Sequence, residues 1–76
     1  MMSTEEKLVY MANQIAREFA AMGEGAAEAT ADHIAKFWEP RMRAHILVGD
    51  AGQLGLSDIA ARAFQLLRQR ADAKSG

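Results

Sequence analysis

The sequence predicts an all-α fold, a small compact bundle of three to four helices. Large apolar residues recur at steps of three and four from Leu8 to Met22 and again from Ile59 to Leu67, which is the period of a helix face. Helix punctuation stands at the borders of these runs, with Ser3, Pro40 and Ser57 at starts and Gly23 and Gly25 at a stop. No segment reads as a strand.

The first helix begins at a capping box, Ser3-Thr4-Glu5-Glu6, with Ser3 as the cap and Glu6 at the third helical position. Its apolar stripe is Leu8, Met11, Ile15, Phe19 and Met22, and Gly23-Glu24-Gly25 ends it, because glycine tolerates a positive φ. A second helix spans roughly Ala26 to Trp38 and lines up Ala27, Thr30, Ile34, Phe37 and Trp38. Pro40 stops that helix and opens a short third one running to about Val48, since a first helical position needs no N–H. Gly49 to Gly55 reads as a loop on composition. Ser57 caps a fourth helix, with Leu56 placed to pack back on its first turn and Ile59, Ala63, Leu66 and Leu67 as the buried face. Short connections favour antiparallel neighbours.

The 76 residues are expected to form one domain, 1–76, ordered from about 4 to 70, with a frayed tail from Ala71 onward. Half the residues are apolar, but sixteen of them are alanine, so large core-forming side chains are few. A core of this size supplies about 3–5 kcal/mol at most. The chain has no cysteine, which excludes disulfides and thiolate-held iron–sulfur clusters as the missing support. What remains is a partner, either another protein or a copy of this chain. A net charge of −1 with interspersed signs argues against nucleic acid as that partner. The acidic start, Met1-Met2-Ser3-Thr4-Glu5-Glu6, is not a signal peptide, and the apolar runs are too short to span a membrane. The expectation is a soluble, intracellular chain.

Two constellations are candidates for partner contact. Tyr10, Asn13, Gln14 and Arg17 are spaced i, i+3, i+4, i+7 and share one side of the first helix, away from its apolar stripe. An aromatic ring, two amides and a guanidinium all hydrogen-bond with direction, although the same spacing also suits an ordinary polar surface. The second is the corner Phe37-Trp38-Glu39-Pro40-Arg41-Met42-Arg43, where Trp38, Arg41 and Arg43 have the composition of an interface core. A Trp at the end of an apolar stripe equally suits the core, and the arginines equally suit a solvated surface. Arg41 and His45 lie four apart and would suit an anionic partner. Neither His33 nor His45 has a second ligand at His-x-x-x-His spacing, so no metal site is expected. No nucleophile–base pattern or phosphate-binding glycine loop is present, and no catalytic residue is assigned. The methionines read as adaptable packing.

Two blocks carry a resemblance to a known family. Tyr10-Met11-Ala12-Asn13-Gln14-Ile15-Ala16 and His33-Ile34-Ala35-Lys36-Phe37-Trp38-Glu39-Pro40-Arg41-Met42-Arg43 resemble the delta subunit of soluble NAD-dependent formate dehydrogenases. The Gly-Leu-Ser stretch within Leu54 to Ser57 is also similar, and the likeness covers residues 7–68. Glu18 stands where the family favours an aromatic, and Glu39 where it more often has Asp. The resemblance implies a cytoplasmic complex that oxidises formate and reduces NAD. Its catalytic alpha subunit would hold a molybdenum or tungsten bis-pterin cofactor and iron–sulfur clusters, and its other subunits flavin and further clusters. This chain would hold no cofactor and would dock on and stabilise the alpha subunit. The alternatives are a stand-alone helical adaptor or regulator, with Arg41, Arg43, Arg62, Arg68 and Arg70 as its basic residues, and a transient assembly chaperone.

Overall fold

A computed structural model describes residues 3–47 and 55–75. Residues 49–54 of the loop expected over Gly49 to Gly55, the expected helix end at Val48 and the terminal Gly76 lie outside the described residues. The protein is a small all-α bundle with helices α1 (Thr4–Phe19), α2 (Ala26–Phe37), α3 (Pro40–Leu47) and α4 (Asp58–Ser75), and a 3-10 turn, Ala20–Gly25, between α1 and α2. Its radius of gyration, 11.6 Å, matches the roughly 11.4 Å of a compact chain this long.

The start of α1 is the expected capping box. The Ser3 hydroxyl accepts the Glu6 N–H at 3.2 Å, and the Ser3 N–H donates to Glu6 Oε1 at 3.4 Å. The buried face of α1 differs from the expected stripe. Leu8, Val9, Ala12 and Ala16 are buried, whereas Met11 is 41% and Met22 58% exposed. The small side chains of Ala12 and Ala16 belong to the core, and Ile15 packs against it partly buried.

The α-helix ends at Phe19, earlier than the glycines suggested, and tightens into the 3-10 turn. Gly23 makes the reversal with φ +65°, and a Cβ there would meet nothing within 4 Å, so the demand for glycine is one of backbone conformation rather than space. In α2, Thr30 is fully buried, and its hydroxyl donates to the Ala26 carbonyl at 2.7 Å. Ile34 is fully buried.

Trp38 leaves the helix in an extended conformation while its N–H still reaches the Ile34 carbonyl at 2.9 Å. The Glu39 carbonyl accepts the N–H groups of Met42 and Arg43 at 2.9 and 3.2 Å, so α3 opens at Pro40 as expected. Ser57 caps α4, its hydroxyl accepting the Ala60 N–H at 3.2 Å. Leu56 packs against the core. α4 runs to Ser75. No glycine or proline interrupts residues 68–75.

The core lies among all four helices, with α2 and α4 making the most extensive pairing. It is built from Leu8, Val9, Ile34, Trp38, Ile46, Phe64 and Leu67, with alanines 12, 16, 31, 60 and 63 set between them. Phe64, absent from the expected α4 face, supplies the ring against which Trp38 packs, at a centroid distance of 5.8 Å.

Candidate partner-contact surface

The structure separates the seven residues expected to touch a partner. On α1, Tyr10 is 58% exposed, and Gln14 and Arg17 are also exposed. Gln14 Nε2 donates to the Tyr10 hydroxyl at 3.2 Å, which orients both groups on one helix face. Arg17 lies one further turn along.

Asn13, expected on this contact face, is half-buried at the groove and spends its amide on bonds within the chain. Its Nδ2 donates to the Gly55 carbonyl at 3.1 Å, and its Oδ1 accepts the Ser57 N–H at 2.8 Å. One side-chain amide thus ties α1 to the segment that enters α4. Gly55 has φ +86°, a conformation suited to glycine. The tie makes Asn13 a positioning residue for an open groove between α1 and the start of α4, lined by Gln14, Arg17, Ser57, Asp58 and Ile59 among others. Asn13→Ala is expected to lower stability by about 1–2 kcal/mol, two hydrogen bonds' worth, as read by urea unfolding. Asn13→Asp keeps an acceptor for the Ser57 N–H but no donor for the Gly55 carbonyl, and should lose about half as much.

The corner divides in a similar way. Trp38, expected among the contacts, is only 5% exposed and belongs to the core. Its neighbour Phe37, grouped with it in one apolar stripe, is 64% exposed. The backbone leaves the helix between them, so the two consecutive rings point in different directions. Arg41 is exposed and Arg43 half-buried. His45 Nδ1 lies 3.6 Å from Glu5 Oε1, so the imidazole faces a carboxylate of this chain's own first helix.

Sequence reading missed a ladder of rings at the α1–α2 edge. His33 lies 6.0 Å from the Phe19 ring and 4.6 Å from that of Phe37, and Lys36 Nζ sits 5.6 Å from the Phe37 centroid. The i, i+4 spacing of His33 and Phe37 was the available signal.

Several other arginines are engaged locally. Arg68 Nη2 donates to the Leu47 carbonyl at the end of α3, Arg70 pairs with Asp32 at 3.0 Å, and Arg62 Nη1 donates to Gln65 Oε1 at 2.9 Å. Arg68 therefore caps α3, and Arg70 ties α4 to α2. Among the described residues, no group of three His, Cys, Asp or Glu could hold a metal ion, and no helix is long and apolar enough to cross a membrane.

Comparison with known proteins gives one family. The model described as the NADH-dependent formate dehydrogenase delta subunit, FdsD, matches residues 7–64, a span that includes most of α1, the Trp38–Pro40 corner and the first turns of α4. No curated protein and no solved structure matches the chain.

Proposed function

The chain belongs to the NADH-dependent formate dehydrogenase delta-subunit family, and from that premise we propose a non-catalytic accessory subunit that docks on the catalytic alpha subunit. The enzyme in this reading is a cytoplasmic, molybdenum- or tungsten-containing complex. In this reading its pterin–metal group, iron–sulfur clusters, flavin and NAD belong to other subunits, and for the clusters this agrees with a chain that has no cysteine. The observation that carries the reading is the exposed face of α1. Tyr10, Gln14 and Arg17 are held toward solvent beside a groove, within the family-matched span.

Arg41 and Arg43 extend the proposed contact set at the corner. Asn13 and Trp38 act through the fold, one fixing the groove and the other the corner. Docking would stabilise the catalytic subunit by mass action, because a ligand that binds only the native form shifts the folding equilibrium toward it. The same exposed face would let the isolated chain pair with a copy of itself.

Capture of the tagged chain from its native cells, with the eluate assayed for formate-dependent NAD reduction, tests this reading. A fixed ratio of chain to active enzyme is expected. Arg17→Glu, at an exposed position, should lower capture about tenfold, equivalent to about 1.4 kcal/mol of binding. Recovery of the chain alone, with formate activity left in the flow-through, would overturn the subunit reading and favour a transient chaperone.

A further inference from the structure

A second groove, of about 340 Å³, runs between α2, α3 and α4. It touches α4 at Leu67 and Arg70, on the order of 15 Å along that helix from the groove beside α1. Its apolar lining includes buried Leu67, half-buried Leu47 and the exposed alanines 35 and 44. Among the described residues, the charged groups lining it are two guanidiniums, Arg43 and Arg70, and no carboxylate lines it.

The two arginines differ in what they already hold. Arg70 is paired with Asp32. Arg43 is half-buried and, among the described residues, has no carboxylate within ion-pair distance. Its aliphatic stem can cover apolar surface while the planar fork of donors stays available to an acid. In a chain of net charge −1, this groove thus combines an apolar lining with a guanidinium that, among the described residues, has no carboxylate partner. Its volume is at the low end of the about 300–1,000 Å³ typical of ligand pockets, a size for one or two anchoring side chains.

Building on the docking reading above, we propose that the α2/α3/α4 groove seats a segment of the partner subunit that carries an aliphatic side chain next to an aspartate or glutamate. The aliphatic group packs on Leu47 and Leu67, and the carboxylate takes the fork of Arg43.

The test uses the full chain co-produced with the rest of its enzyme. Ala44→Trp fills the groove mouth from an exposed position, Arg43→Glu reverses the charge, and Arg43→Lys keeps the charge without the fork. The first two should lower enzyme capture about tenfold or more with an unchanged thermal midpoint, and Arg43→Lys should fall in between. If Arg17→Glu weakens capture while Ala44→Trp and Arg43→Glu leave it at the wild-type level, this proposal is overturned and the docking reading stands. Failure of the wild-type chain to capture any enzyme overturns both. Light scattering separates the remaining occupant. A dimer that Ala44→Trp converts to monomer, with enzyme capture unchanged, would make the groove a contact between copies and overturn the proposal.

Discussion

Trp38→Ala leaves the isolated chain largely unfolded at room temperature. Trp38 is nearly fully buried, packs on the Phe64 ring, and sits where the chain turns from α2 into α3. Truncating a buried Trp costs about 3–5 kcal/mol, since the lost transfer energy adds to that of the cavity left behind. A core of this size supplies about the same amount in total. Far-UV circular dichroism through a urea titration is the measurement, because the substitution removes the only tryptophan available to fluorescence. Trp38→Phe, which keeps a ring against Phe64, should retain a cooperative transition at lower urea. A wild-type midpoint for Trp38→Ala would refute the assignment of Trp38 to the core. Loss of enzyme capture in Trp38→Ala therefore reports loss of fold and identifies no contact.

Ala63→Leu is expected to destabilise the chain toward the upper end of the about 1–3 kcal/mol that overpacking costs. Ala63 has no exposed surface, and Ala60, Ala12 and Ala31 in the same core have essentially none. These alanines sit between the larger side chains of the core, with no free surface into which a longer side chain could extend. A leucine at position 63 must push α4 away from its neighbours or adopt a strained rotamer, although it is the more hydrophobic residue. Ala73→Leu on the same helix is the control. Position 73 is exposed, and the two residues have similar helix propensity, so its midpoint should stay near wild type. Thermal unfolding of the pair decides the matter. An Ala63→Leu variant as stable as Ala73→Leu would mean that the helices are not closely packed at that point.

These predictions mark where sequence reading was sound and where it fell short. The helix starts were legible because capping is local. Ser3 with Glu6, Glu39 (just before Pro40) with Met42 and Arg43, and Ser57 with Ala60 each form bonds within four residues, so nearby sequence carries the whole interaction. The buried faces were less legible. Ranking residues by size and hydrophobicity singled out Met11, Met22 and Phe37, all exposed, and passed over the alanine line and Phe64. Which stripe of a helix faces its neighbour depends on how closely the helices approach, and that depends on the partner helix.

The candidate surface followed the same division. The i, i+3, i+4, i+7 spacing placed Tyr10, Gln14 and Arg17 on a common exposed side, as helical geometry requires. It could not reveal that Asn13, within the same spacing, binds Gly55 and Ser57 forty-two and forty-four residues away. Nor could it tell Trp38 from Phe37, consecutive aromatics that the exit from α2 sends one inward and one outward.

By itself, then, the sequence determined the all-α class, the order of the helices and their starts, through periodicity and capping that act over a few residues. It also carried the two residue blocks on which the family likeness rests. Only the tertiary structure decided which side chains are core, which polar groups are spent inside the fold, and where grooves remain. Those outcomes depend on contacts between residues distant in the chain, and burial becomes defined only once all four helices are in place.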